Sequence, residues 1–302
     1  MFEALVNFFR REEPETEQKW EILPDPVNHT VSKPKALTYM QISFATDKGL
    51  VRQNNEDNFY IDGKYTHSYE KNETDHYVEL TQSGHLFALF DGMGGEAFGE
   101  TASALAALQI QRFADDMTEG SVSDLPYQMN EFTRSANSAI CDMLKDRSNA
   151  RGGSTFAAVC VKDGMAYPFY LGDSRIYIYD EQGLSQITED QTLAIRNIKA
   201  GVYTEEEAKN SPDHHKLTGY LGADYSDMGI DSRACMPFPM NNGMKILLCT
   251  DGLTDMCSSE EIAELLEHHG NNPARELADL ALKNGGQDNV TCIVIESKTE
   301  LL

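Results

Sequence analysis

The sequence lacks cysteine pairs, long apolar runs and an excess of positive charge. Its six cysteines include no CxxC pair, which argues against a zinc ribbon or a thiol redox motif. No stretch approaches the ~20 consecutive apolar residues that a helix needs to cross a bilayer. Only 25 basic side chains stand against 49 acidic ones, a net charge of -24. Nucleic acids and anionic membranes would repel such a chain, so we expect neither as a partner.

Three of the cysteines lie inside apolar, strand-like runs. These residues, Cys160, Cys249 and Cys292, are flanked by aliphatic side chains, so we predict that they are buried as small hydrophobic residues. A disulfide framework is therefore not expected. We infer a reducing, cytoplasmic compartment.

The first 37 residues differ in composition from the rest of the chain. Their start lacks the basic residues and long apolar segment of a secretion signal. A short amphipathic helix is compatible with the spacing of Phe2, Leu5, Val6 and Phe9. Four prolines follow among polar residues, which is typical of an extended linker. We interpret 1–37 as an N-terminal arm and 38–302 as a single domain.

Short apolar runs and turn signals alternate through the domain. Hairpin turns such as Asp163–Gly164 connect several predicted strands. Helical periodicity recurs separately, in two pairs: 97–117 with 123–144, and 258–267 with 273–283. This order indicates an antiparallel α+β architecture. We predict a sandwich of two antiparallel β-sheets flanked by helix pairs, a four-layer αββα arrangement.

Two polar stretches are not assigned to the sheets. Residues 63–84 are interpreted as a long hairpin connection. Residues 190–222 are predicted to be partly helical, with Thr204 and Glu207 spaced as a capping box, and to form a flap beside the sheets. Its adjacent histidines, His214 and His215, are interpreted as solvated surface residues.

Aspartates occur where predicted strands begin or end. Asp91, Asp173 and Asp251 follow apolar runs, whereas Asp57 and Asp288 precede them. An Asp–Gly pair taken singly predicts only a turn. If neighbouring strands bring these ends together, however, at least four carboxylates meet at one edge of the sandwich.

Clustered carboxylates need a cation. Without one they repel and raise each other's pKa, and a divalent ion reverses that interaction. The short segments around these aspartates, RQNNED, FDGMGG and TDGLTD, contain no His or Cys. Ligand sets made only of oxygen favour Mg²⁺ or Mn²⁺ over zinc, without distinguishing Mg²⁺ from Mn²⁺. Gly92 has no side chain, so its carbonyl can approach a metal closely. The pattern therefore predicts a divalent-metal site suited to phosphate esters.

Eight segments together resemble one known family. In order they are TDKGLVRQNNED, LFALFDGMGGEAFGE, GGSTFAAV, LGDSRIY, ITEDQT, LTGYLG, LLCTDGLTDM and GGQDNVTCIVI. Between residues 38 and 296 the chain resembles metal-dependent serine/threonine protein phosphatases of the type 2C family, in the bacterial form. The family fold is a sandwich of two antiparallel sheets flanked by helix pairs, which agrees with the strand pattern above.

The resemblance implies two metal ions, Mn²⁺ or Mg²⁺. Asp91 would bridge them, with the Gly92 carbonyl on the second ion. Asp251 and Asp288 would hold the first ion. A water shared by the two ions would then attack phosphorus in line.

The same resemblance implies roles for five further residues. Glu56 and Asp57 would support the second ion, partly through water. Asp173 and Asp255 would favour a third, weaker ion beside the first. Arg52 would grip the substrate phosphate, because a guanidinium matches phosphate bidentately. A simpler role stays open for three of them: Asp255 is also compatible with a helix N-terminus, Asp173 with a turn, and Arg52 with an ordinary protein surface.

Three positions depart from the family pattern. Met93 stands where many relatives have a histidine that can act as a general acid. Glu96 and Gln191 stand where bacterial relatives often have histidine. None of the three is a metal ligand in the family, so we expect activity to be intact; their effect on substrate preference and pH profile stays open.

The leading hypothesis is a protein phosphatase that acts on phosphoserine and phosphothreonine, with an opposing serine/threonine kinase as an expected partner. Two alternatives stay open: a catalytically silent, phosphatase-shaped scaffold, and a phosphatase of small phosphomonoesters. A complete aspartate set argues against the scaffold. Turnover of phosphopeptides against small esters separates the two enzymes.

Overall fold

The computed structural model describes residues 36–66, 72–81, 83–94, 98–145, 152–224 and 230–301. The predicted arm lies outside these residues, apart from its last two. Within the described residues, no helix has both the length and the apolar character to cross a membrane.

The described residues form fourteen strands. Their bounds are β1 Ala36–Asp47, β2 Asn58–Ile61, β3 Glu73–Leu80, β4 His85–Phe90, β5 Gly92–Gly94, β6 Gly152–Ser154, β7 Phe156–Lys162, β8 Met165–Leu171, β9 Arg175–Asp180, β10 Gly183–Gln186, β11 Arg233–Ala234, β12 Phe238–Pro239, β13 Lys245–Cys249 and β14 Val290–Leu301.

Seven α-helices accompany the strands in this part of the chain. Their bounds are α1 Phe98–Glu119, α2 Leu125–Leu144, α3 Leu193–Lys199, α4 Glu205–Lys209, α5 Asp251–Thr254, α6 Ser259–His268 and α7 Pro273–Lys283. The predicted capping box is confirmed: the Thr204 hydroxyl accepts from the Glu207 N–H, and the Glu207 carboxylate accepts from the Thr204 N–H.

The larger strands build two antiparallel sheets. The described part of the first sheet has the order β10-β9-β13-β14-β1-β3, and that of the second has the order β11-β8-β7-β4-β2, with β12 beside β8. Strands β5 and β6 pair separately. The hairpin between β7 and β8 turns at Asp163 and Gly164, which both have positive φ, as the Asp–Gly signal predicts.

Three apolar clusters divide the domain into four layers. One lies between the sheets and includes Met40, Phe87 and Ile293. A second joins α1 and α2 to the second sheet, and a third joins α5, α6 and α7 to the first. The αββα sandwich is confirmed.

Strand β4 shows why a continuous apolar run suits this architecture. Its alternate residues Leu86, Ala88 and Phe90 face the helices, whereas Phe87 and Leu89 face the other sheet. Both faces of the strand are therefore buried, and alternation with polar residues is absent.

The prediction of a connection at 63–84 was wrong, because β3 lies within it. This strand pairs with β1 along its whole length, Tyr39 opposite Leu80 and Thr46 opposite Glu73. It is the edge strand, and most of its side chains are partly or fully exposed. Polar residues on both faces remove the alternation by which a strand is recognised.

Candidate functional site

The ends of strands from both sheets meet at one edge of the sandwich. In the first sheet Cys249 at the end of β13 pairs with Cys292 near the start of β14. In the second, Phe90 at the end of β4 pairs with Asn58 at the start of β2. Antiparallel pairing thus places the segments around 56, 91, 251 and 288 side by side.

A cavity of about 660 Å³ opens at this edge. Its described lining residues are Arg52, Glu56, Asp91, Gly92, Met93, Gly94, Thr155, Asp173, His215, Leu217, Asp251, Gly252, Asp255, Met256, Gln287 and Asp288. Eight of the nine residues singled out in the sequence are among them. The ninth, Asp57, is not among these lining residues.

Asp57 lies behind the cavity wall, 4% exposed. Its Oδ2 accepts hydrogen bonds from Thr250 Oγ1 at 2.9 Å and Thr291 Oγ1 at 2.6 Å. Thr291 Oγ1 also lies 2.8 Å from Thr46 Oγ1. Asp57 therefore ties β13, β14 and β1 together directly beneath the carboxylates that face the cavity.

Asn289 fixes the loop that carries Arg52 and Glu56. Its Oδ1 accepts from the Glu56 N–H at 2.7 Å, and its Nδ2 donates to the carbonyls of Lys48 and Asn54 at 2.8 and 2.9 Å. The side chain is buried. Sequence reasoning missed this residue, although it directly follows Asp288, because its hydrogen-bond partners are more than 230 positions away.

Asp91 is held through its backbone by Thr155. The Thr155 N–H donates to the Asp91 carbonyl at 2.9 Å, and the Asp91 N–H donates to Thr155 Oγ1 at 3.3 Å. Thr155 Oγ1 lies 2.6 Å from Ser174 Oγ, next to Asp173. These contacts favour a role for Thr155 in shaping this edge of the sandwich.

Glycine is required after Asp91 because the backbone is crowded there. A Cβ on Gly92 would lie 2.3 Å from the Gly99 carbonyl oxygen and 2.4 Å from that of Glu56. Gly252, which follows Asp251, is as tightly enclosed, since its Cβ would lie 1.9 Å from the Asn289 carbonyl oxygen. Each Asp–Gly pair therefore follows a strand at a point where the neighbouring backbone leaves no room for a side chain on the glycine.

Burial and mutual repulsion hold protons on these carboxyl groups. Burial raises the pKa of Asp91 and Asp173 well above the usual range, and the charge of Asp251 adds to this. Burial also raises the pKa of Asp57 to about 8, against the two threonine hydrogen bonds. The pKa values of Glu56 and Asp251 rise to about 7 and about 6, chiefly through burial.

Arg52 is the arginine among the described lining residues. It donates from Nη2 to Asp288 Oδ2 at 2.5 Å, and half of its side chain is exposed. Burial lowers its pKa, but the Asp288 carboxylate outweighs that effect and the net shift is upward. Its guanidinium thus stays charged at the mouth of a strongly acidic cavity.

The segment 190–222 borders the cavity and is anchored at its start. Arg175 donates three hydrogen bonds to Asp190: from Nε to Oδ1 at 3.0 Å and to Oδ2 at 3.1 Å, and from Nη2 to Oδ2 at 2.7 Å. Gln191 Oε1 accepts from the Gly172 N–H at 2.9 Å. Gln191, one of the three positions that depart from the family pattern, therefore holds the backbone next to Asp173. Met93 lines the cavity. Glu96 lies outside the described residues.

The interpretation of His215 as a solvated residue was incomplete. Its side chain is 61% exposed, yet Nδ1 lies 3.9 Å from Asp251 Oδ2 and 3.8 Å from Asp255 Oδ2. Burial raises the pKa of Asp255, and His215 opposes that rise. The sequence offered one signal for this placement: the histidine pair closely precedes LTGYLG, one of the segments that resemble the family.

Comparison with known proteins decides the family. Residues 66–283 match the family Protein phosphatase 2C. The chain belongs to the protein phosphatase 2C family.

Individual members of the protein phosphatase 2C family cover most of the chain. Serine/threonine protein phosphatase PstP of Mycobacterium tuberculosis is 32% identical over 83% of the chain and 44% of its own length. The chain thus spans less than half of that relative. A putative protein phosphatase 2C-type of Streptococcus pyogenes is 30% identical over 86% of the chain and 99% of its own length.

A solved structure in the family agrees with the fold. The catalytic domain of serine threonine protein phosphatase PstP in complex with two manganese ions has a TM-score of 0.66 and 30% identity, covering 86% of this chain and 99% of that one. The four-layer arrangement described above is therefore that of the family.

Proposed function

We propose that this protein is a metal-dependent phosphatase that removes phosphate from phosphoserine and phosphothreonine in proteins. The observation that carries the proposal is one cavity that combines Asp91, Asp251 and Asp288 with Arg52. Family membership supports the same activity, since relatives carry the name serine/threonine protein phosphatase.

The described lining residues suit divalent cations. Six carboxyl groups line the cavity, those of Glu56, Asp91, Asp173, Asp251, Asp255 and Asp288. The raised pKa values of Asp91, Asp173 and Asp251 indicate that their negative charges are unfavourable without a cation. Their donors are oxygens, which Mg²⁺ and Mn²⁺ prefer. The PstP structure with two manganese ions supports two such ions here.

Three carboxylates and one carbonyl would hold the two ions. We assign Asp91 to both ions, Asp251 and Asp288 to the first, and the Gly92 carbonyl to the second. Glu56 would support the second ion from the cavity wall. When bound, the ions would lower the pKa of the attacking water and offset the negative charge of the phosphoryl group.

Asp57 would support the metal site without binding an ion directly. Because its Oδ2 accepts from two threonines and the residue is not among the described lining residues, we propose that its charge strengthens the site from beneath. Asp173 and Asp255 would contribute to a third, weaker ion position beside Asp251.

Arg52 would bind the substrate phosphate. Its guanidinium contacts Asp288 and is half exposed at the cavity mouth, so two N–H groups can reach an incoming phosphoryl group. Met93, which also lines the cavity, has no proton to give. The leaving alkoxide would therefore take its proton from water. The dependence of the rate on pH would then show no pKa from a side chain at position 93.

The organisation of the chain is proposed as well. We propose an arm at 1–37, a single catalytic domain at 38–302 and a flap at about 190–222 that tunes access to the cavity. A cytoplasmic location and a signalling role opposite a serine/threonine kinase complete the proposal. Deleting residues 1–35, which leaves β1 whole, is expected to give soluble protein with full turnover, and loss of either would make the arm part of the domain.

The test is phosphate release from a phosphothreonine peptide. We expect turnover with Mn²⁺, loss of turnover with EDTA, and loss in Asp251→Asn. Asp142→Asn, on the exposed surface of α2, is the matched control and should retain full activity. Tight Mn²⁺ binding without turnover would instead favour a scaffold, and turnover confined to p-nitrophenyl phosphate would favour a small phosphomonoester as substrate.

A further inference from the structure

Two large apolar side chains are exposed directly before Arg52. Leu50 is 68% exposed and Val51 62%, and they are the one consecutive pair of this kind in the described part of the chain. Single exposed apolar residues are ordinary on a protein surface, whereas adjoining ones beside polar groups are typical of an interaction site. The two-ion chemistry proposed above does not use this pair.

The backbone that carries the pair is fixed, so the exposure does not result from a loose loop. The Leu50 N–H donates to the Gly286 carbonyl at 2.8 Å. Asn289 Nδ2 donates to the carbonyls of Lys48 and Asn54, which lie on either side of the pair, at 2.8 and 2.9 Å. The loop therefore presents its two apolar side chains to solvent in a defined place.

A third apolar side chain continues this surface to the cavity. A Cβ on Gly286 would lie 2.9 Å from Leu50 Cγ, and a Cβ on the preceding Gly285 would lie 3.4 Å from Met256 Sδ. Leu50 and Met256 therefore lie against two consecutive glycines, which add no side chain of their own. Met256 is also a lining residue of the cavity. We call Leu50, Val51 and Met256 the apolar rim.

The apolar rim adjoins the group that is proposed to bind the substrate phosphate. Val51 directly precedes Arg52, and consecutive Cα atoms are about 3.8 Å apart. In an extended peptide, the residue next to the phosphorylated one is displaced by a similar distance, about 3.3 Å. A peptide whose phosphate contacts Arg52 therefore brings a neighbouring side chain within reach of the rim.

We propose that the apolar rim binds an apolar side chain next to the phosphorylated residue of the substrate. The proposal rests on the proposed function, because it requires that Arg52 hold the phosphate of a peptide. Contact between apolar side chains removes area from water on both partners, whereas a charged side chain there would lose hydration without gaining a partner. The preferred substrates are then phosphoserine and phosphothreonine segments with an aliphatic neighbour such as leucine.

The net charge of the chain favours a different neighbour, a basic one. At a net charge of -24, the protein attracts cationic peptides over a distance, and salt screens that attraction. Apolar contact with the rim is not screened in this way. Measurements at low and at high salt therefore separate the two effects.

The test compares phosphothreonine peptides that differ in one residue, with leucine, glycine or lysine directly before or directly after the phosphothreonine. Full-length protein is assayed with Mn²⁺ at low and at high salt. A methylene in an apolar pocket changes kcat/KM by about 10–200-fold, and an open rim should give the lower end of that range. We therefore expect kcat/KM for the leucine peptide to exceed that for the glycine peptide by about tenfold, at either salt concentration.

Substitution of the rim should remove this preference. In the double variant Leu50→Ser, Val51→Ser the leucine and glycine peptides should become equal, whereas Leu50→Met, which keeps an apolar side chain, should preserve the ratio. The control is Val122→Ser, an exposed valine near Gly120, which contacts Lys162 at the end of β7 away from the cavity. Each ratio is taken within one variant, so a change in stability or metal binding cancels.

Four results would overturn the proposal: equal turnover of the leucine and glycine peptides by the wild type, a leucine preference that survives in the double variant, its equal loss in Val122→Ser, or a lysine peptide that remains the best substrate at high salt. A fifth would be a double variant that changes oligomeric state in analytical ultracentrifugation while the ratio is unchanged, because the rim would then join two copies of the chain.

These failures are distinct from failure of the proposed function. Equal turnover of all phosphopeptides rejects the rim alone and leaves the protein phosphatase standing. Hydrolysis of p-nitrophenyl phosphate without turnover of any phosphopeptide rejects the protein phosphatase assignment, and with it the rim as a substrate contact.

Discussion

Arg52 donates a hydrogen bond of 2.5 Å to Asp288, although 236 positions separate the two residues. The contact joins the loop before β2 to the turn before β14 and places the guanidinium over the acidic cavity. The Asp288 carboxylate therefore orients the Arg52 guanidinium, the group that is proposed to bind the substrate phosphate.

Substitution of Arg52 should act mainly on substrate binding. For Arg52→Ala we expect KM for a phosphothreonine peptide to rise about 10–100-fold, as removal of a charge-assisted hydrogen bond costs about 1.5–3 kcal/mol. Arg52→Lys should recover only part, because an ammonium lacks the bidentate geometry. Steady-state kinetics check this, with Arg134→Ala as control, since Arg134 also pairs with an exposed aspartate. Unchanged kinetics would remove Arg52 from the site.

Asn289→Ala should lower both stability and metal affinity. The variant loses three partly buried hydrogen bonds to the backbone of the 48–56 loop, a cost on the order of 2–4 kcal/mol. Denaturant unfolding and Mn²⁺ titration measure the two effects. Asn242→Ala, which removes one hydrogen bond to the exposed Thr299 N–H, should change neither; equal losses in both variants would contradict a specific role.

Without metal, the folded protein should become less stable as pH rises from about 5 to 8. Glu56, Asp57 and Asp251 have raised pKa values of about 7, 8 and 6, whereas carboxyl groups of an unfolded chain titrate near 4. The folded state therefore binds more protons in this window, and stability falls with pH. Mn²⁺, which favours the ionised carboxylates, should reduce the fall.

Thermal unfolding in EDTA and in Mn²⁺ at pH 5, 6, 7 and 8 measures this dependence. Asp57→Asn should flatten the EDTA curve, because an amide keeps an oxygen acceptor for Thr250 and Thr291 without the charge. A Tm in EDTA that rises steadily to pH 8 would show that the carboxyl groups are not protonated in the folded state.

Gly92→Ala should disrupt the site without touching a charge. The added Cβ meets two carbonyl oxygens at 2.3 and 2.4 Å, and overpacking of this kind costs about 1–3 kcal/mol or more. We expect weaker Mn²⁺ binding and a large loss of turnover. Gly164→Ala, in a turn with nothing within 4 Å of the new Cβ, should cost stability but leave metal binding unchanged.

Breaking the Arg175–Asp190 pair should destabilise the domain far more than breaking a surface pair. Asp190 is 8% exposed and Arg175 21%, so Arg175→Met leaves a buried charge without its partner, at about 3–5 kcal/mol. Lys199→Met, which breaks an exposed pair with Glu189, should cost at most about 1 kcal/mol. Similar losses in chemical denaturation would show that the buried pair does not anchor the segment.

Much of the fold was predictable because its elements follow local rules. The continuous apolar runs of β4, β7 and β13, the capping box of α4 and the Asp163–Gly164 turn each depend on neighbours within a few positions. Strand β3 was not predictable in the same way. An exposed edge strand has polar side chains on both faces, and only its pairing with β1 defines it.

Residue types and their spacing suffice to name the carboxylates at strand ends, and antiparallel hairpins then require several of those ends to meet. Which atoms face the cavity depends on the tertiary structure. It placed Asp57 beneath the wall, made Asn289 the support of the loop that carries Glu56, and brought His215 to Asp251 and Asp255. The physical reason is that these contacts join segments far apart in the chain, 233 positions for Asn289 and Glu56, where packing of the layers rather than local periodicity sets the distances.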